Sequence, residues 1–212
     1  MTRADFTPSD VLDLWFPDSG HQNDIESHRE FWETRMRGGM DETICANYAD
    51  LTTAAAKGLL DHWAETLRGR LALLIALDQF PRSLWRDTPG AFAQDNKATK
   101  LAMDTVFRDD FDELAPWEQA FFIISISHCE GPEHQARFES VMPIVQRIAA
   151  RLQESNLAPM AERFISQNER VLGNIRRFGR HPHRNPIYGR VSTPDEEAYI
   201  AVGDFPHETK IE

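Results

Sequence analysis

The sequence predicts an all-α fold, a single domain of antiparallel helix pairs, from three observations. Apolar residues recur at helical spacing along most of the 212-residue chain. Proline, glycine and capping residues divide the chain into segments of about 10 to 20 residues. Alternating strand patterns are nearly absent, and so are the Asn-Gly and Asp-Gly turns typical of β-hairpins. Short breaks between helices of this length indicate that neighbouring helices run antiparallel.

Three helices are predicted near the N-terminus. Ser9 and Asp10 can cap a short first helix, and Pro17 stops it. A second helix is predicted from about Asn23 to Met36, ended by a pair of glycines. A third is predicted from about Asp41 to Lys57, because its apolar residues recur at helical spacing.

The middle of the chain contains its most apolar segments. Leu71 to Phe80 is apolar on every side, which is typical of a helix at the centre of its domain, and Pro81 is expected to terminate it. Thr88-Pro89 opens a helix predicted to reach about Arg108. The next helix is predicted from Pro116 to His128. Its β-branched residues leave a buried strand as the alternative.

The last third of the chain is predicted to be helical as well. Its helices are expected from about Glu133 to Leu152, from about Pro159 to Arg177, and from the capped start Thr193-Pro194-Asp195-Glu196. We expect one helical domain over residues 1–212, with a core over 8–205 and a frayed tail over 206–212.

Composition and charge exclude several classes of protein. Hydrophobic residues make up 41% of the chain, and the formal net charge is -11, which disfavours binding to nucleic acid or to anionic membranes. We found no apolar stretch long enough to span a bilayer and no secretory signal. Cys45 and Cys129 have neither metal-ligand nor disulfide spacing. The sequence therefore predicts a cytoplasmic protein without a cofactor, and it leaves the oligomeric state open.

Positive charge is concentrated near the C-terminus. No Asp or Glu occurs from Arg170 to Pro194, a window that we call the basic segment. It contains His181 and His183 together with six arginines: Arg170, Arg176, Arg177, Arg180, Arg184 and Arg190. A local cluster of positive charge on an acidic protein indicates a small anionic partner rather than a nucleic acid duplex.

The first candidate site segment is Asp78-Gln79-Phe80-Pro81-Arg82. Asp78 ends the most apolar helix, where a buried carboxylate needs a cation or a hydrogen-bond donor. Arg82, Arg86 or an arginine of the basic segment could be that partner. The alternative is a purely structural ion pair that closes the end of the helix.

The second segment is His128-Cys129-Glu130, at the end of another apolar helix. His128 and Glu130 can converge on one point and share a proton. A metal is not predicted, because the Pro-Cys-x-x-Cys and His-Glu-x-x-His patterns are missing. We interpret Cys129 as a small buried apolar residue.

The third segment runs from Arg177 to Arg190. Gly179 can end the preceding helix in the left-handed conformation, and two prolines and a glycine predict a fixed, non-repetitive loop after it. Arginine side chains bind carboxylates or phosphates through two parallel hydrogen bonds, and His183 could act as an acid or a base. The loop is expected to need either a ligand or carboxylates from elsewhere in the chain, such as Asp78 and Glu130.

Together, these segments resemble the bacterial family known as domain of unknown function 924. The resemblance rests on Leu77-Asp78-Gln79-Phe80-Pro81-Arg82 with Thr88-Pro89 and Phe92, His128-Cys129-Glu130 with Gln135, and Arg177-Phe178-Gly179-Arg180 with Pro182-His183-Arg184-Asn185. It extends from about Val11 to Phe205. Cys129 stands where the family usually has Ser, and His181 where it usually has Phe. The resemblance implies a tetratricopeptide-like helical array with a concave face, and it implies no activity.

Three functions remain open from the sequence. The first is a small-molecule site for an anionic ligand, which could be an acid/base enzyme. Its candidate catalytic residues are His128, Glu130 and His183, and its candidate ligand-binding residues are Asp78, Arg82, Arg180, Arg184 and Asn185. The second is a peptide-binding module of the tetratricopeptide-like kind. In the third, the motifs are architectural, and carboxylates pair with the arginines to lock the helix ends.

Overall fold

The computed structural model describes residues 6–203 and 205, which form helices and connecting turns without a strand. The α-helices are α1 (Pro8–Trp15), α2 (Ile25–Thr34), α3 (Asp41–Asn47), α4 (Ala49–Ala56), α5 (Leu67–Asp78), α6 (Phe80–Leu84), α7 (Asp95–Val106), α8 (Pro116–His128), α9 (His134–Gln153), α10 (Pro159–Phe178), α11 (Asn185–Tyr188) and α12 (Pro194–Val202). Across these residues, none of the helices has the length and apolar character needed to cross a membrane. The all-helical prediction is confirmed.

Helix α5 forms the centre of the core. Every residue from Leu71 to Asp78 is buried, and the helix packs against α1, α4, α7 and α8. Its start is fixed by Thr66, whose hydroxyl accepts the backbone N–H of Gly69 at 3.1 Å. Gly69 is required there, because a Cβ atom would lie 2.0 Å from the carbonyl oxygen of Trp63. The central position predicted from the apolar sequence is therefore confirmed.

Helix α8 packs against α5, α7 and α9, and α9 packs in turn against α10. It begins at Pro116, where Glu118 accepts the backbone N–H of Ala115 at 3.0 Å. The alternative of a buried strand is wrong here. The helix is buried on most of its circumference, so the β-branched residues that suggested a strand fill the core instead.

Several predicted boundaries shift when the chain folds. Thr7 caps α1 rather than Ser9, and its backbone N–H donates to Asp10 at 2.7 Å. The predicted helix over 41–57 divides into α3 and α4 at Tyr48, whose hydroxyl donates to the backbone oxygen of Asp10 at 2.9 Å. The segment after Thr88-Pro89 is a 3-10 turn, and α7 begins only at Asp95.

Prolines begin short helices at two places where a stop or a loop was predicted. Helix α5 ends at Asp78, and α6 starts almost at once with Pro81 in its first turn. The basic segment contains a 3-10 turn, Pro182–Arg184, followed by α11 with Pro186 in its first turn. The physical reason is that proline lacks an N–H that the first turn of a helix does not need.

The end of α10 and the start of α12 lie at the glycine and the capping residue that the sequence predicted. Gly179 ends α10 with φ 67° in the left-handed region. The capped start of α12 is confirmed: Thr193 accepts the N–H of Glu196 at 3.3 Å, and Glu196 accepts the N–H of Thr193 at 2.9 Å. The tail predicted over 206–212 lies outside the described residues.

Two exposed glycines, Gly173 within α10 and Gly179 directly after it, give a matched test of where this helix ends. Neither Gly173 nor Gly179 has an atom within 4 Å of an added Cβ, but only Gly179 has a positive φ. We expect Gly173→Ala to raise the free energy of unfolding by about 1 kcal/mol, since it improves helix propensity. We expect Gly179→Ala to lower it by about 1 kcal/mol, because the left-handed conformation strains alanine. Denaturant unfolding measures both, and shifts of the same sign would contradict this helix end.

Candidate functional site

The three segments singled out in the sequence meet at the C-terminal ends of α5 and α8. Asp78 is the last residue of α5 and His128 the last of α8, and their side chains are in contact. Arg184 of the basic segment contacts the backbone oxygen of His128 at 3.0 Å. Residues far apart in the chain are therefore brought to one point.

Asp78 and His128 form a buried carboxylate–imidazole pair. Nδ1 of His128 lies 2.9 Å from Oδ1 and 3.2 Å from Oδ2 of Asp78, and the side-chain amide of Gln79 donates to Oδ2 at 2.6 Å. Burial alone would raise the pKa of Asp78, but the charge of Arg82 and the hydrogen bonds from His128 and Gln79 outweigh it and hold the pKa below its usual range. An ionised carboxylate only accepts hydrogen bonds, so Nδ1 of His128 donates and the basic nitrogen is Nε2.

The pKa of His128 is itself lowered, first by burial and then by the charge of Arg82. The imidazole is therefore neutral near neutral pH, which is the state that can accept a proton.

Arg82 is the arginine that joins Asp78 to the next acid. It donates to the backbone oxygen of Asp78 and to Oδ1 of Asp95 at 2.9 Å, and it lies 3.4 Å from Oδ1 of Asp78. Arg86, the other nearby candidate, contacts Asp41 instead, at 2.6 Å. An arginine thus lies at the end of the helix beside Asp78. This contact is expected if the motif is a structural ion pair.

Arg184 reaches the same cluster from the basic segment. Its Nη1 donates to Oδ2 of Asp95 at 2.8 Å, and its guanidinium lies 4.2 Å over the ring of Phe92. Arg184 is only 3% exposed. Sequence reasoning missed Asp95, whose position in the first turn of α7 gives no signal that it pairs with two arginines.

Glu130 joins the basic segment to the end of α8. It accepts from Arg190 at 2.5 and 3.2 Å and from the backbone N–H of His181 at 2.7 Å. Burial would raise the pKa of Glu130, but these hydrogen bonds lower it below the ordinary value. Arg190 was noted in the sequence only as a member of the basic segment, because the turn that brings it to Glu130 is not visible there.

Histidines surround the last turn of α8. Nε2 of His134 and Nε2 of His181 each lie 2.8 Å from the backbone oxygen of Ser127, so both rings donate from Nε2. The ring of His183 lies 5.5 Å from that of His181. Burial, followed by the charges of Arg184 and His128, lowers the pKa of His183 to about 4.

Two of the predicted ligand-binding residues make hydrogen bonds away from the Asp78–His128 pair. Arg180 contacts Glu196 at 2.6 and 2.7 Å and holds the start of α12. Asn185 is fully buried and donates to the hydroxyl of Ser192 at 2.9 Å. These contacts fix the conformation of the basic segment and the helix that follows it.

Several buried polar atoms around this cluster have no hydrogen-bond partner among the described residues. They are Nε of Arg184, Nε of Arg190, Nε of Arg137, Nδ1 of His134 and Oδ1 of Asn185. A buried polar atom without a hydrogen-bond partner costs about 1 to 3 kcal/mol, so these donors and acceptors are places where water or a ligand would be bound favourably.

Three ion-paired arginines lie around the pair, and a fourth, Arg137, donates to the backbone oxygen of Cys129. The three carboxylates of Asp78, Asp95 and Glu130 contact the three guanidinium groups of Arg82, Arg184 and Arg190. Within the described part of the chain, no group of three or more His, Cys, Asp or Glu side chains is arranged to hold a metal ion. Cys129 is buried, and burial raises the pKa of its thiol. The chemistry that the cluster offers is hydrogen bonding to an oxyanion and proton transfer.

The comparisons with known proteins identify relatives without a known activity. The model of a family described as "Bacterial protein of unknown function (DUF924)" matches residues 11–204. A solved structure of a protein of unknown function from Agrobacterium tumefaciens is 28% identical, covers 92% of this chain and 97% of its own, and has a TM-score of 0.65. No curated protein matches the sequence.

The lowered pKa of His183 predicts a dependence of stability on pH. The folded protein binds this proton more weakly than the unfolded chain, so the free energy of unfolding falls as the pH drops from 6.5 towards about 4. We expect His183→Asn to make this fall smaller in denaturant unfolding at a series of pH values. The matched control is His62→Asn, which replaces an exposed histidine. A slope in His183→Asn equal to that of the unmodified protein would show that His183 titrates normally.

Proposed function

We propose that this chain, which belongs to the bacterial DUF924 family, binds a small molecule with a carboxylate or phosphate group at the Asp78–His128 pair. In this proposal, His128 exchanges a proton with the ligand. The observation that carries the proposal is a fixed carboxylate–imidazole pair beside a buried arginine, Arg184, whose Nε has no acceptor.

The arginines supply the reason to expect an oxyanion. Both hydrogen bonds that Arg184 donates to the described residues use Nη1, so its Nε–Nη2 edge can bind a ligand. This edge can hold two oxygens of a carboxylate or phosphate in parallel hydrogen bonds. Arg190 contributes a second Nε donor, with its guanidinium 4.9 Å over the ring of Tyr188. A ligand oxygen would satisfy donors that the protein leaves without a partner.

His128 is the group that we assign to proton transfer. Asp78 holds Nδ1, which fixes the orientation and tautomer of the ring and would stabilise the imidazolium formed when Nε2 accepts a proton. Glu130 is a positioning residue in this arrangement, because its oxygens accept from Arg190 and from the backbone of His181. The proposed reaction class is acid/base chemistry on an oxyanion-bearing molecule.

The tetratricopeptide-like arrangement, with a peptide in its groove, is the alternative that the family resemblance suggested. Consecutive helices from α7 to α10 do pack on one another, which suits such an array. The arginines, however, contact carboxylates of this chain, and Arg184 is buried. A closed cluster of this kind favours a small molecule over an acidic peptide.

The binding proposal is tested by thermal unfolding with inorganic phosphate, sulfate and short carboxylates. A compound that binds the native protein at about 100 times its dissociation constant stabilises it by about 2.7 kcal/mol. We expect such a shift for one compound class, and we expect Arg190→Gln to reduce it strongly. Arg176→Gln is the matched control, since it removes an arginine that is 56% exposed and pairs with Glu139 away from the site.

Two results would contradict binding. If no compound moves the unfolding midpoint, the balanced ion pairs are architectural, and they serve only to lock the ends of α5 and α8. If a compound shifts Arg190→Gln and Arg176→Gln equally, it binds elsewhere on the protein.

The proton-transfer role has a separate test. Nitrogen-15 NMR of the imidazole distinguishes the two neutral tautomers of a histidine. At neutral pH we expect His128 to be neutral and protonated at Nδ1, because that nitrogen donates to Asp78. We expect Asp78→Asn to change this tautomer, because an amide oxygen or nitrogen replaces the carboxylate. A His128 ring protonated only at Nε2 could not accept a proton from the ligand, and the role would be wrong.

A further inference from the structure

His183 is a base beside the site that the proposed proton transfer does not use. Its side chain is half-buried, whereas His128 and Arg184 are buried. It lies on the 3-10 turn Pro182–Arg184, immediately before the arginine whose Nε lacks an acceptor. It is therefore more accessible to solvent than His128 and Arg184.

The positive charges of the two arginines next to His183 are already neutralised by carboxylates. Arg184 is paired with Asp95 at 2.8 Å, and Arg190 with Glu130 at 2.5 Å. An oxyanion that enters between these two arginines would find hydrogen-bond donors whose positive charges are already neutralised by Asp95 and Glu130. A charge removed from water without a partner is expensive, so the bound anion needs a positive charge from elsewhere.

The charges that act on His183 come from two sides. Arg184 and Arg190 of the basic segment oppose its protonation, as does His128 at the end of α8, while Glu130 favours it. Its ring also contacts His181 and, from the C-terminal segment, the uncharged Phe205 at 5.2 Å. Without a ligand, burial and then these charges keep the pKa of His183 at about 4, and an anion between the arginines would oppose the effect of their charges.

We propose that this site binds its anion together with one proton, and that His183 accepts the proton. The inference rests on the function proposed above, and it adds that ligand affinity is set by pH. The imidazolium of His183 supplies the compensating charge that Arg184 and Arg190, already paired, do not. No covalent bond changes, since the proton comes from solvent and returns to it when the anion leaves.

Coupling between anion binding and proton uptake predicts how steeply the affinity for the anion depends on pH. When one proton is taken up with each ligand, the affinity rises about tenfold for each unit by which the pH falls. The rise is confined to pH values between the pKa of about 4 that His183 has in the unliganded protein and its higher pKa in the liganded protein, because outside this range binding changes no protonation state.

Isothermal titration calorimetry with sulfate and with acetate tests the proposal, since neither probe changes its charge above about pH 6. Measuring each binding heat in two buffers of different ionisation enthalpy gives the number of protons taken up. We expect about one proton per anion and a tenfold gain in affinity per pH unit. In His183→Asn, and in His183→Gln should the first variant fold poorly, we expect binding without this pH dependence. His62→Asn, at an exposed histidine, should keep it.

The outcomes separate this inference from the function on which it rests. Binding without proton uptake would overturn the coupling and leave the anion site in place. Proton uptake that persists in both His183 variants would place the proton on another group, such as His128, and overturn the assignment. Failure of both anions to bind at any pH would remove the anion site, and the coupling with it.

Discussion

The buried charge of Asp78 is the constraint on which the rest of the site depends. The most apolar helix of the chain ends in a carboxylate that is 1% exposed, and such a charge persists only where partners surround it. His128 and Arg82 provide them, from α8 and α6. Arg82 in turn contacts Asp95, and Asp95 holds Arg184. One charge at the end of α5 thus organises the contacts among four other elements.

The end of α8 is the second centre of the arrangement. The last carbonyl groups of a helix have no partner within the helix and carry a partial negative charge. The backbone oxygen of Ser127 accepts from His134 and His181, and that of His128 accepts from Arg184. The basic segment therefore docks by supplying donors to a helix end, and Glu130 fixes it there.

The same contacts serve stability and the proposed chemistry. Balanced ion pairs explain why so many arginines can lie together, yet they do not satisfy every donor, since Nε of Arg184 has no acceptor among the described residues. Stability alone does not require that donor to be buried without a partner. An anionic ligand that completes it would meet arginines already paired with carboxylates, and this is the physical reason to connect binding with protonation of His183.

The sequence by itself determined the helical class, the central place of α5 and the ends of α8 and α10, because periodicity, proline and glycine act locally. The sequence also identified Asp78, His128 and the basic segment as polar groups whose burial costs free energy unless they find partners. Only the tertiary structure decided the pairing, in which Asp95 and Arg190 enter the cluster while Arg180 contacts Glu196. Any carboxylate can neutralise any arginine, so composition leaves the partners open. Packing chooses among them by bringing together side chains as distant in sequence as Asp95 and Arg184.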